Sequence, residues 1–70
     1  INVSVEMKSS EQLRLSLTDI FGKEILLIYH GFLPEGQHIW PVHNYWSPGV
    51  YFIKMIKQDG SQEVQKCIFK

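Results

Sequence analysis

The residues of this chain that could do chemistry are three histidines, one cysteine and a scatter of serines and carboxylates. Imidazoles and thiolates bind zinc, so His30, His38 and His43 raise the question of a metal site. His38 and His43 are five residues apart, which in a regular strand places them on opposite faces, with Pro41 between them. Cys67 is far away along the chain, and no further ligand follows at a typical spacing. The pattern therefore predicts no metal and no cofactor.

Nucleophilic catalysis has equally little support in the sequence. No nucleophile-elbow turn frames Ser47 or Ser61. Asp19 and Glu24 are predicted as a turn residue and a strand-end residue, not as a catalytic carboxylate pair. The glycines are isolated and precede strands, so none of them forms a phosphate-binding loop. We expect a protein that is not an enzyme.

Length and composition limit the remaining classes. Seventy residues form one small domain, here residues 1–70, and seven basic residues balance seven acidic ones. A zero net charge argues against nucleic-acid binding, which needs a basic surface. The longest apolar run, residues 25–29, is far shorter than the ~18 residues of a membrane-spanning helix. Because the chain starts at Ile1 without a signal segment, we expect it to be a piece of a longer protein.

The elements that must position these residues are strands, because apolar residues recur with a period of two. The pattern predicts six strands at about ten-residue spacing, and a loop could hide a seventh. The predicted strands cover residues 1–7, 13–18, 24–30, 37–42, 48–55 and 61–70. This spacing predicts an all-β fold, a small antiparallel β-sandwich of about six to seven strands.

Several positions within this pattern carry more specific expectations. Residues 24–30 are apolar on both faces, which predicts a central strand. Residues 31–36 are predicted to form a loop, and Pro41 is predicted to end the next strand or to place it at an edge. Gly22 is predicted to have a positive φ. The Asp59-Gly60 pair predicts a hairpin with a type I′ turn, in which both central residues have positive φ.

Four motifs in sequence order carry a family resemblance. They are an alternating strand followed by Asp19 and Gly22, a Leu-x-x-Gly-x-His run containing Gly36, the stretch at residues 46–53 with Pro48, Gly49 and Tyr51, and the closing Lys66 and Lys70. Each motif alone is common at turns and strand starts. Together they resemble the C-terminal sorting domains (type A) of proteins exported by the type IX (Por) secretion system of Bacteroidota.

This resemblance implies a fold and a function. Such domains are immunoglobulin-like β-sandwiches that follow a cargo domain, catalyse nothing, and are normally cleaved off. The partners implied are the outer-membrane translocon, a shuttle component and a sortase-like peptidase. The implied localisation is the periplasm in transit, then the cell surface or the extracellular space.

The last predicted strand is the candidate recognition element, formed by Lys66, Ile68, Phe69 and Lys70. In an extended strand Lys66, Ile68 and Lys70 share one face, with the lysines about 13 Å apart, while Cys67 and Phe69 point the other way. If Phe69 faces the core, the opposite face offers a Lys-Ile-Lys stripe to an acidic partner. Alternatively, the lysines serve only to prevent sheet-to-sheet aggregation at an edge strand.

A second class of function stays open on the sequence alone. An immunoglobulin-like interaction or adhesion module of a cell-surface protein would use a loop or a sheet face, and Tyr45, Trp46, Tyr51 and Phe52 could stack on a carbohydrate. The simpler interpretation is that these aromatic side chains fill the core. Within the strand of residues 49–57, we expect Tyr51, Ile53 and Met55 to point inward. Free strand edges would also permit an edge-to-edge homodimer.

Overall fold

The computed structural model describes residues 2–42 and 47–69. Six strands run through these residues, and no helix that could cross a membrane is found among them. The strands are β1 (Asn2–Met7), β2 (Glu11–Thr18), β3 (Glu24–Leu33), β4 (Gly36–Pro41), β5 (Gly49–Lys57) and β6 (Gln62–Phe69). The prediction of an all-β chain is confirmed.

The strands form two antiparallel sheets. One contains β1 and β4, and the other has the order β3-β2-β5-β6. One apolar core is shared by both sheets. Its buried members are Val3 and Met7 of β1, Leu13 and Leu15 of β2, Leu33 of β3, and Val42 just after β4. The alternation of apolar and polar residues in β1 and β2 creates these inward-facing sets, because successive side chains point to opposite faces.

The strand that is buried on both faces is β2, and the prediction of a central β3 is wrong. β3 pairs only with β2 and lies at the edge of its sheet, where Leu27 and Phe32 are exposed. In β2, by contrast, Leu17 is fully buried and Ser16 on the opposite face is 3% exposed. An alternating strand such as β2 can still lie inside the sheet, flanked by β3 and β5. Its polar residue Ser16 can be buried there because a serine side chain is small.

The predicted loop at residues 31–36 is also largely wrong. β3 continues to Leu33, which pairs with Glu11, and only Pro34 and Glu35 separate β3 from β4. Backbone pairing with β2 extends the strand through Gly31 and past it. The prediction for Pro41 is confirmed: it is the last residue of β4 and pairs with Asn2 at the end of the two-stranded sheet.

The turn after β2 follows the sequence prediction. Gly22 has a φ of 83°. The Asp19 carboxylate accepts hydrogen bonds from the backbone amides of Phe21 and Lys23, each 2.9 Å long. The Gly22 amide donates to the Asp19 carbonyl at 3.1 Å. Asp19 therefore organises the turn, since its short side chain can satisfy amides two and four residues ahead.

The hairpin between β5 and β6 is confirmed, but its type I′ turn is wrong. Gly60 has a φ of 88°, whereas no non-glycine residue described has a positive φ. The Gly60 amide donates to the Lys57 carbonyl, and the Lys57 amide donates to the Ser61 carbonyl, both at 2.9 Å. This pattern is that of a longer, three-residue loop with a left-handed glycine at its end. Asp59 instead accepts hydrogen bonds from the amide and the hydroxyl of Ser61, at 2.9 and 2.6 Å.

Candidate recognition surface

The last strand alternates as the sequence predicts over the residues described. β6 is an edge strand that pairs with β5 on one side. Phe69 is 4% exposed and its ring lies 5.2 Å from that of Tyr51, while Cys67 is half-buried on the same face. Lys66 is exposed, and Ile68 is 55% exposed. Lys70 lies outside the described residues.

This placement divides the predicted recognition residues into two groups. Lys66 and Ile68 are accessible to another protein. Phe69 is a core residue of the folded domain, so it is not available as a contact residue for a receptor. The sequence already contained the reason, because Phe69 alternates with the two exposed residues along one strand.

Strand register adds a neighbouring row of side chains that the sequence analysis did not include. Phe52 is paired with Lys66, Lys54 with Val64, and Val50 with Ile68. Paired residues point to the same side of a sheet. We call this side the outer β5–β6 face; it comprises Val50, Phe52, Lys54 and Ile56 of β5, and Gln62, Val64, Lys66 and Ile68 of β6.

The charged residues of the outer β5–β6 face are all positive. It contains aliphatic and aromatic side chains, one glutamine and two lysines, and no carboxylate. Val64 and Ile68 are more than half exposed, at 59% and 55%. In a chain of zero net charge, this face is therefore locally basic and apolar.

Both lysines of this face are without an ion pair among residues 2–42 and 47–69. The ion pairs there join Arg14 to Glu24 at 2.9 Å and Lys57 to Glu63 at 3.5 Å. Lys57 and Glu63 belong to the opposite face of the same hairpin, since they alternate with Lys54 and Lys66. The acidic residue of β6 thus neutralises a cation on the core side.

Sequence reasoning missed Lys54 and Val64, although one signal could have found Lys54. The prediction that Ile53 and Met55 point inward is confirmed, since both pack against the core. An inward Ile53 forces Lys54 outward by alternation. What the sequence could not supply is the register that places Lys54 beside Lys66.

The third residue predicted to point inward, Tyr51, lies on the same face and is half-buried. Its hydroxyl donates a hydrogen bond of 2.6 Å to the Ser47 carbonyl. This bond spans Pro48 and Gly49, which lead into β5. The Ser-Pro-Gly-Val-Tyr motif therefore closes the start of this strand, a structural role for the residues Pro48, Gly49 and Tyr51.

The motif around Gly36 has a comparable structural role. The Pro34 carbonyl can only accept, so His38 Nε2 donates the 2.8 Å hydrogen bond between them. The His38 ring also stacks on Trp40, with centroids 6.0 Å apart. His38 therefore ties the short β3–β4 connection to β4.

No cluster of three or more metal-ligating side chains occurs within the described ranges 2–42 and 47–69. His43, the third histidine considered above, lies outside them. His30 is exposed on β3, where it pairs with Arg14. His30 and His38 thus belong to no such cluster within the described residues.

A groove of about 770 Å³ runs between β1 and β6. Its floor is formed by Leu15, Ile53 and Met55, and Cys67 lies on its β6 side. Burial raises the pKa of the Cys67 thiol above its ordinary value of 9.0. A raised pKa disfavours the nucleophilic thiolate, so Cys67 behaves as a small apolar side chain.

Comparison with known protein families, with curated proteins and with solved structures gives no match to this chain.

Proposed function

We propose that this chain is a non-catalytic secretion and sorting signal domain of the type IX kind, with an immunoglobulin-like β-sandwich fold. In this role it follows a cargo domain, is recognised in the periplasm by the outer-membrane export machinery, and is cleaved by the sortase-like peptidase after export. The sequence motifs at Asp19, Gly36, Gly49 and Lys66 support the proposal.

The observation that carries the proposal is the exposure of Lys66 and Ile68 on β6, an edge strand that pairs only with β5 within residues 2–42 and 47–69. An edge strand presents both its side chains and its unpaired backbone groups, so a receptor sheet can add a strand to it. Lysines at an edge also prevent unwanted pairing between sheets. In the proposed role Lys66 would therefore also hinder unwanted pairing of β6 with other sheets before the receptor is met.

The test is an export assay in a Bacteroidota host with an intact type IX system. The chain is fused to the C-terminus of a reporter that carries its own periplasmic signal peptide. We expect the reporter outside the cell. Retention in the periplasm of a fusion that is folded would contradict the proposed function.

Point substitutions locate the recognition element better than truncation. Removing residues 66–70 would also remove the buried Phe69 and destabilise the fold. The double substitution of Lys66 and Lys70 by Ala avoids this, and we expect reduced export with an unchanged melting temperature. Lys8→Ala in the exposed β1–β2 turn is the matched control, with export like that of the original chain.

The groove between β1 and β6 favours a second candidate, an immunoglobulin-like interaction or adhesion module of a cell-surface protein. Its apolar floor and two flanking strand edges could hold an extended segment of another protein. In this case the domain would tolerate loss of Lys70 and would bind through the groove, which Lys66 also lines. A fusion that stays in the periplasm but adheres to host or bacterial surfaces would favour this function.

A further inference from the structure

We infer that the outer β5–β6 face is one continuous docking surface, and that its occupant is an acidic protein surface that also presents aliphatic side chains. Lys54 and Val64 extend the surface beyond Lys66 and Ile68. The inference rests on the proposed function, because it takes the receptor of the export machinery as the occupant.

Charge complementarity is the first argument for an acidic occupant. Lys54 and Lys66 are diagonal neighbours on adjacent strands, a relation that places such residues about 7–8 Å apart. No carboxylate lies on this face, and neither lysine takes part in an ion pair within residues 2–42 and 47–69. Two positive charges on such diagonal neighbours repel each other weakly. A carboxylate-bearing partner would remove that repulsion and gain two ion pairs.

The apolar side chains argue for a protein and not for a simple polyanion. Val64 and Ile68 are exposed beside the two lysines, at 59% and 55%. A nucleic acid or an anionic glycan would be bound by a dense basic patch and would gain little from aliphatic contact. Protein interfaces instead combine an apolar centre with charges at the rim. Val64, which lies directly opposite Lys54 and two residues before Lys66 on β6, gives the surface this character.

The surface exists only in the folded hairpin. Lys54 and Lys66 are twelve residues apart in sequence and become neighbours through the β5–β6 register. An unfolded tail would present Lys66 and Ile68 without Lys54. The receptor therefore recognises the folded domain and not an unfolded tail.

The experiment uses the reporter fusion described above, with three variants of Lys54, one variant of Val64 and one control. Lys54→Glu should lower export severalfold, Lys54→Gln should lower it less, and Lys54→Arg should retain it. Lys8→Glu, an equal charge change in an exposed turn, should leave export unchanged. Val64→Ser tests the apolar part and should also lower export.

The melting temperature of Lys54→Glu distinguishes docking from a purely structural role of Lys54. A structural role would lower export only by lowering stability. Lys54→Glu replaces a repulsive pair with an attractive one, so its melting temperature should be equal to or above that of the original chain. Reduced export together with undiminished stability would support docking. Reduced export that follows reduced stability would overturn it.

The outcomes separate this inference from the proposed function. If the original fusion is not exported, the proposed function fails. If it is exported and Lys54→Glu is exported equally well, the sorting role stands and the inference about the outer β5–β6 face is wrong. Binding of the purified domain to vesicles of phosphatidylglycerol and phosphatidylcholine, lost in Lys54→Glu, would overturn the assignment to a protein occupant.

Discussion

Lys54 and Lys66 lie on the same face of the β5–β6 hairpin, whereas Lys57 and Glu63 pair on the opposite face at 3.5 Å. The hairpin thus has one neutralised side and one side with two cations and no carboxylate. An acidic residue beside Lys54 or Lys66 would replace a like-charge neighbour by an opposite charge on that side. This unequal distribution of charge over the two sides of the hairpin is the reason for proposing that the outer β5–β6 face binds a partner.

The first prediction concerns the free energy of unfolding of Lys54→Glu. We expect the variant to be more stable by about 0.2–1 kcal/mol, because an opposite-charge pair replaces a like-charge pair on adjacent strands. Urea denaturation measures the difference. In a Lys66→Gln background the gain should largely disappear, as a double-mutant cycle would show. A gain that is independent of Lys66 would contradict the predicted contact.

The second prediction compares two neighbouring residues of β6. Phe69→Ala should cost about 3–5 kcal/mol of unfolding free energy, because it removes a large buried side chain from the core. Ile68→Ala should change stability by less than about 0.5 kcal/mol, because Ile68 is largely exposed. Chemical denaturation of the two variants checks this. Equal losses would mean that the strand alternates differently.

The third prediction tests the closure at the start of β5. Tyr51→Phe removes the hydroxyl that donates to the Ser47 carbonyl and keeps the ring that lies against Phe69. We expect a loss of about 0.5–1.5 kcal/mol, the usual net contribution of one hydrogen bond. Export should be unaffected if the domain remains folded. A neutral effect on the midpoint of thermal unfolding would show that the hydroxyl is dispensable.

The fourth prediction concerns pH. The hydrogen bond from the Ser61 hydroxyl, with that from the Ser61 amide, holds the pKa of Asp59 below its ordinary value of 3.8. A lowered pKa in the folded state stabilises the protein above pH 3.8, and this stabilisation is lost as the pH falls through the folded-state value. The difference in melting temperature between the original chain and Asp59→Asn should therefore be constant near neutral pH and shrink in acid.

Ser61→Ala supplies the control for this measurement. It removes the hydroxyl that contributes most to the lowered pKa of Asp59. Its melting temperature should consequently depend less on pH in the acid range. If the original chain and Asp59→Asn respond to acid in parallel, the carboxylate contributes nothing specific to the loop.

The fifth prediction concerns the reactivity of Cys67. Burial raises the pKa of its thiol above 9.0, so little thiolate is present in mildly alkaline solution. We expect the folded domain to react with an aromatic disulfide reagent more slowly than the same chain in denaturant. Equal rates in the two states would show that Cys67 is freely accessible at the side of the groove.

The sequence by itself determined the local features of this protein. The period-two pattern located most strands, Gly22 and Gly60 marked turns, and alternation placed Phe69 inward and Lys66 outward. These properties depend on a few consecutive residues, because side-chain direction in a strand is fixed by the backbone itself. They were predictable without knowledge of the other strands.

Only the tertiary structure decided which strands are neighbours. Residues 24–30 look like an inner strand, yet the serine-containing β2 occupies that position and β3 lies at the edge. The strand order is the one with the lowest free energy for the whole core. One strand's own pattern cannot decide it, because each pairing between distant segments is stabilised by contacts with every adjacent strand. The proximity of Lys54 to Lys66 was also decided only by the tertiary structure, because it arises from the hairpin register and not from a local sequence pattern.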